Sequence, residues 1–335
     1  MLLISENDNA REKAKQLLND HFECKYIGKV SHLLGVKFNL GNDGSVTLSQ
    51  QAYIQRLLQR FHLEDAKGAT TPMEMRPFFL EKDEAEDTNA NMPYKELIGG
   101  LLYLAQRTRP EIFFAVGKLA QYCSKYTMQR WNSAKRVLRY LKETMEIGIV
   151  YRSPDKPLRA YARADWASCS ETRKSTTGYV VLLCGMPVIW KSTKQTVTAL
   201  STMEAEYMAI SECSREVTWV RGFLESVGQG SKLVAGSTKL MCDSQAAIAH
   251  AKNSVDKNRT KHISIRYHYV REKIENGTIE PIYVPSCRNL ADILTKPLSE
   301  VRHKILRDRL FALNEVGTFH YMHHFEEENV KANFA

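Results

Sequence analysis

The 335-residue sequence predicts an α/β protein, with a mixed five-stranded sheet and flanking helices in its second half and a smaller α+β region before it. Three observations carry this prediction. From Leu158 onward, strand-length and helix-length runs follow in the order three strands, helix, strand, helix, helix, strand, helix. The first three strands are divided only by turns and the later ones by helices, a combination that implies a mixed sheet. Upstream, a hairpin signal is followed by amphipathic helices.

Met1-Leu2-Leu3-Ile4 reads as the end of a strand. It turns polar at Ser5 and lacks a basic n-region and a cleavage site, so it is not a signal peptide. A polar amphipathic helix follows over Asn9 to Phe22. Strands around Leu33 to Leu40 and Ser45 to Ser49 flank the turn Gly41-Asn42-Asp43-Gly44. Tyr53, Ile54, Leu57, Leu58 and Phe61 then mark one stripe of a helix. Glu74 to Met92 is acidic and aperiodic, a linker or exposed loop. Helical spacing resumes with Leu97, Ile98, Leu101, Leu102 and Leu104, is punctuated by Pro110, and continues through Phe113, Val116 and Leu119. Trp131 to Lys142 is a helix with Lys135, Arg136, Arg139 and Lys142 facing outward, a face that suits either a phosphate backbone or water.

Leu158 to Asp165 alternates like a strand. Thr176 to Leu183 and Met186 to Lys191 are the next two strands, joined by the Cys184-Gly185 turn. A long helix spans Thr202 to Val227 and stops at Gly228. Lys239 to Cys242 is a strand ending at Asp243. Gln245 to Ala251 and Ser264 to Glu275 are helices. Ile279 to Val284 is the fifth strand, and a last helix begins near Asn289.

Hydrophobic content of 43% can supply a real core. The net charge of +9 favours a polyanionic partner. The longest apolar runs, such as Val180 to Leu183, are far short of a membrane span. Seven scattered cysteines without a CxxC pair read as free thiols in a reducing compartment, which is intracellular, cytoplasmic and/or nuclear, and argue against zinc.

Three carboxylates stand out. Glu206 lies on the apolar stripe of its helix with Met203, Ile210, Cys213, Val217, Val220 and Leu224, where an ionised group is costly unless paired or metal-bound. Glu204 and Glu212 lie off that stripe and read as solvent-facing. Asp243 follows an apolar strand and precedes a helix, where ligands gather in α/β sheets. Asp292 sits near the start of the last helix. Each also has a plainer reading: a helix-edge or first-turn Glu, an N-cap that Ser244 could equally supply, and a first-turn Asp. Together, on separate elements, they suit two-metal phosphodiester hydrolysis, in which hard oxygen ligands hold two divalent ions. A serine-hydrolase reading has no Gly-x-Ser-x-Gly support.

Residues Tyr161 to Leu298 resemble the ribonuclease H domain of copia-type LTR retrotransposon Pol polyproteins. The stretches that carry the resemblance include Ala164-Asp165-Trp166-Ala167, Arg173-Lys174-Ser175-Thr176-Thr177-Gly178-Tyr179, Trp190-Lys191-Ser192 and Leu200-Ser201-Thr202-Met203-Glu204-Ala205-Glu206-Tyr207. Cys242-Asp243-Ser244-Gln245, Arg259-Thr260-Lys261-His262-Ile263 and Ala291-Asp292-Ile293-Leu294-Thr295-Lys296-Pro297-Leu298 complete them. Upstream, Leu48-Ser49-Gln50, Thr71-Pro72, Thr108-Arg109-Pro110 and Lys135-Arg136-Val137-Leu138-Arg139-Tyr140 resemble the later segments of the same polyprotein's reverse transcriptase.

The resemblance implies a ribonuclease H-like sheet over 151–298, followed by a tail over 299–335. Before it come a reverse transcriptase palm or thumb remnant over 1–73, a linker over 74–92 and a helical, thumb- or connection-like region over 93–150. It implies hydrolysis of RNA in RNA–DNA hybrids with Mg²⁺ or Mn²⁺. The metal ligands carry over onto Glu206, Asp243 and Asp292. The family's first aspartate aligns with Arg163, and Asp165, two residues on and on the same strand face, is the candidate substitute. A guanidinium there puts fixed positive charge where dications should sit, and it is placed to pair with Asp243 or Glu206 as an ionic plug. The resemblance thus also admits a catalytically dead nucleic-acid-binding or vestigial protein. Candidate nucleic-acid contacts are Arg163, Lys174, Ser175, Lys191, Lys261, His262 and Arg266. The implied partners are an RNA–DNA hybrid or other nucleic acid and other Pol or Gag chains, with no membrane. The family's Tyr-x-Asp-Asp signature would lie ahead of Met1, so polymerase activity is not expected of this chain. His320, His323 and His324, near Glu326 to Glu328, read as a polar tail rather than a metal site.

Overall fold

The computed structural model describes residues 2–5, 7–75, 92–152, 156–167, 172–228, 233–253 and 264–313. Residues 2–5 carry no regular structure, in place of the expected strand end. Helix α1 (Asp8–His21) is capped by Asn7, whose side chain accepts from the Asn9 N–H, and it buries none of its residues.

A four-stranded antiparallel sheet follows, in the order β1 (His32–Leu33), β2 (Val36–Leu40), β3 (Val46–Ser49) and β4 (Ile149–Tyr151). The β2–β3 turn closes through Gly41 N–H to Ser45 O at 2.8 Å, with Asp43 accepting from Ser45 N–H at 3.0 Å. Gly44 takes φ +79°, which glycine adopts without strain. Strand β4 has only three residues and no period to read, so it is an addition to the expected elements.

Helices α2 (Gln51–Arg60), α3 (Tyr94–Arg107), α4 (Phe113–Ala120) and α5 (Met128–Glu143) bury Ile54, Leu97, Leu101, Leu104, Val116, Val137 and Leu141 against one another. Arg109 is fully buried beside them. It pairs with Glu111 at 2.6 Å and donates to the Thr144 carbonyl at 3.1 Å, so its charge is matched inside the core. The outward basic face of α5 is held by this chain. Arg136 donates to Thr71 and Glu74, Arg139 to the Gly68 carbonyl, and Lys142 to the Ala66 carbonyl.

The second sheet is five-stranded and mixed, in the order β7 (Met186–Lys194), β6 (Thr176–Leu183), β5 (Arg159–Asp165), β8 (Thr238–Cys242) and β9 (Ile279–Tyr283). Strands β5, β6 and β7 pair antiparallel, while β8 and β9 run parallel to β5. Helices α6 (Thr202–Ser226), α7 (Gln245–Lys252) and α8 (Ser264–Glu275) cover one face. The small side chains of Ala160, Ala162 and Ala164 let α6 lie close on β5. This is a ribonuclease H-like sheet.

The other face is covered by a 3-10 turn (Leu290–Leu294) and helix α9 (Glu300–Leu310). The helix expected near Asn289 is therefore that turn, and the true helix starts at Glu300 in what read as tail. Val180, Leu182, Met186, Ile293, Leu306, Leu310 and Phe311 pack there with Ile149, and partly buried Leu48 and Phe113 join the same core. The two sheets thus share one apolar seam. Trp190 Nε1 donates across it to the Ala105 carbonyl at 2.7 Å. Among the described residues, no helix is long and apolar enough to cross a membrane.

Candidate active site

Glu206 arrives on the first turns of α6. Ser201 caps this helix by accepting from Glu204 N–H at 3.2 Å, and the Glu204 carboxylate accepts from Leu200 N–H, one residue ahead of the cap, at 2.7 Å. Glu204 is therefore buried at the helix start rather than solvent-facing, and Glu212 pairs with Arg266 at 3.3 Å. Glu206 points into the sheet, where its Oε2 accepts from Ala164 N–H at 3.0 Å at the end of β5. The Cys242 thiol lies 3.8 Å from the same oxygen. Burial, reinforced by the Asp243 charge, pushes the Glu206 carboxyl up to about 8. Burial and Glu206 push the Cys242 thiol up as well.

Asp243 extends from the C-terminal end of β8. Ser244 takes the N-cap of α7, accepting from Ala247 N–H at 3.2 Å, which leaves Asp243 free for the site. Its Oδ1 accepts from Asn289 Nδ2 at 3.2 Å, and its Oδ2 accepts from Ser286 and from Arg163 Nη1. Asp292 is presented by the 3-10 turn, which Asn289 caps by accepting from Ala291 N–H at 3.1 Å.

Arg163 joins the two aspartates. Its Nη1 meets Asp243, and its Nε lies 2.9 Å from Asp292 Oδ1. Asp292 has two further cations, Lys296 at 3.1 Å and Arg302 at 3.4 Å. Gly178 stands opposite Arg163 in the β5–β6 register. A Cβ on Gly178 would lie 2.8 Å from Leu294 Cβ and 3.0 Å from the Ala291 carbonyl, so glycine is what lets the turn seat Asp292 beside Arg163.

Ligand atoms of Glu206, Cys242 and Asp243 lie within 4.8 Å of one another. Asp292 is outside that group and connects to it through the Arg163 guanidinium. Asp165 is half-buried at the end of β5 and is also outside the group. Both Asp243 oxygens accept hydrogen bonds, and both Asp292 oxygens lie within 3.4 Å of a cation. Two divalent ions need free hard oxygens, so the residues present do not fit a Mg²⁺ or Mn²⁺ pair.

The other expected nucleic-acid contacts have varied settings. Lys191 is exposed. Lys174 Nζ donates to the Thr196 carbonyl at 2.7 Å. Ser175 is fully buried, its Oγ accepting from Ala167 N–H at 3.2 Å, which corrects its assignment as a direct phosphate contact. Arg266 is taken by Glu212. Lys261 and His262 lie outside the described residues, as do His320, His323 and His324. Three participants escaped the sequence reading: Asn289, Ser286 and Arg302. Asn289 carried a signal, since Asn is a strong N-cap residue three positions before Asp292. Ser286 and Arg302 carried none.

The chain is similar to known proteins over most of its length. Residues 1–75 match the family model described as reverse transcriptase (RNA-dependent DNA polymerase). The chain is 33% identical over 317 residues to the retrovirus-related Pol polyprotein from transposon TNT 1-94 of Nicotiana tabacum, covering 92% of this chain and 23% of that polyprotein. It is 32% identical over 224 residues to the putative transposon Ty5-1 protein YCL074W of Saccharomyces cerevisiae, covering 65% of this chain and 71% of that protein. The chain belongs to the copia-type retrotransposon Pol polyproteins. This Pol chain thus spans about a quarter of the tobacco polyprotein's length. Among solved structures it is similar to ribonuclease H1 of Halobacterium salinarum, at 18% identity and a TM-score of 0.30, covering 42% of this chain and 95% of that one.

Proposed function

We propose that the ribonuclease H-like part of this Pol chain, residues 151–298 extended by α9, binds RNA–DNA hybrids without cleaving them. Residues 1–73 and 93–150 are its reverse transcriptase-derived flank. The observation that carries this reading is the Arg163 guanidinium, which occupies the space between Asp243 and Asp292. A fixed positive charge there opposes two dications by direct repulsion and is ion-paired with both aspartates. Hydrolysis of a phosphodiester without a covalent intermediate needs an activated water and a sink for leaving-group charge. This chain offers neither while the guanidinium stays. Glu206, held largely protonated near neutral pH, is in addition a poor ligand for a hard cation. Hybrid binding is supported by the ribonuclease H-like sheet and the net charge of +9.

The test is a cleavage assay on an RNA–DNA hybrid across a Mg²⁺ and Mn²⁺ titration. The unmodified chain should show binding and no product. Arg163→Asp should gain metal-dependent product. Robust cleavage by the unmodified chain would refute the reading and return Asp165 to the ligand set.

A further inference from the structure

The cations around Asp292 have a second property, their placement. The two aspartates form the floor, each side chain 6% exposed. The three cations lie nearer the solvent, Arg163 at 14%, Arg302 at 22% and Lys296 at 34%. Three cationic side chains are therefore each more exposed than the two aspartates they pair with. Glu206 is turned inward onto the Ala164 N–H and the Cys242 thiol, so it adds little negative field at the mouth. Even with Glu206 ionised, the cluster is neutral rather than acidic. An aspartate at 163 would shift it by two units towards negative charge.

A site of four carboxylates repels a nucleic-acid backbone until metal ions bridge the two. Here the outward layer is already cationic, and guanidinium groups match phosphate oxygens in shape and charge. Arg302 is also braced, donating from Nη2 to the Ser286 carbonyl at 2.6 Å. Its head group is therefore positioned before any ligand arrives.

We propose that Arg163, Lys296 and Arg302 form a phosphate-binding site that grips a backbone phosphodiester of the hybrid directly, with no divalent ion. This rests on the hybrid-binding reading above and specifies how the altered centre takes part in it.

The experiment is fluorescence anisotropy of a labelled RNA–DNA hybrid with the full chain, in EDTA and in Mg²⁺, over a salt series. The unmodified chain should bind equally well in both. Arg163→Gln and Lys296→Gln should each weaken binding roughly 5-fold and lower the salt slope by about 1. Lys296 is on the rim, so its variant decides the matter if Arg163→Gln melts early. Hybrid binding with unchanged affinity and slope in these variants would overturn the phosphate site and leave the hybrid-binding reading standing. A requirement for Mg²⁺ would also overturn the site. No binding by the unmodified chain would remove both.

Discussion

Glu206 is a carboxylic acid kept largely neutral by its surroundings. Its ordinary value of 4.5 rises to about 8, first through burial and then through Asp243. Between those two values the folded chain holds a proton that the unfolded chain releases. Stability therefore falls as pH rises from about 4.5 to about 8 and levels off above. In Glu206→Gln this slope should disappear, which urea unfolding at acidic and alkaline pH would show as a smaller difference than in the unmodified chain. Asn289 works at the same scale. Its amide donates to the Ala162 carbonyl at 3.0 Å and to Asp243 while its oxygen caps the 3-10 turn. Asn289→Ala strands buried acceptors and should cost about 1–3 kcal/mol in chemical denaturation. The identities of Glu206, Asp243 and Asp292 were legible because a charged residue on an apolar stripe or strand end is conspicuous. Arg302 was not. An arginine on a charged helix looks alike in sequence whether it meets water or braces an aspartate, and only the fold tells them apart.

The elements divide the same way. Strand β5 and helix α6 were readable because their apolar residues keep one period over seven or more positions, and β6 and β7 because they are strand-length runs joined by the Cys184-Gly185 turn. Helix α9 was missed because Leu306 and Leu310 are diluted by Arg302, Lys304, Arg307 and Arg309, and a buried histidine gives no apolar signal. His303 packs edge-on against Tyr140, with ring centroids 5.3 Å apart. Burial, helped by the Arg307 charge, lowers its ring from 6.5 to about 4. The unfolded chain binds that proton first, so stability drops as pH falls from about 6.5 to about 4. His303→Leu should flatten that acid limb in thermal melts. The 3-10 turn offers a second check. Gly178→Ala pushes a methyl group into Leu294 and the Ala291 carbonyl, and overpacking of this kind costs about 1–3 kcal/mol. It should also loosen Asp292 from Arg163, seen as a perturbed Arg163 Nε resonance.

For the whole molecule, the seam between the two sheets is the main departure from the sequence reading. The sequence suggested separate blocks, a remnant, a helical region, a nuclease-like sheet and a tail. In the structure β4 pairs with β3 immediately before the chain enters the second sheet, and α9 closes the far side. Long-range packing of this sort has no local signature. Ile149 falls at the end of the expected 93–150 helical region, yet it shares a core with Val180 and Leu306.

That seam has a practical corollary for anyone cloning this module. Vectors cut at Leu298 would strip the lid from Val180, Leu182 and Met186 and give aggregates, as size-exclusion chromatography would reveal. Inserts carried through Leu313 with the upstream helices retained should stay monodisperse, so the expression boundary follows the packing rather than the motif.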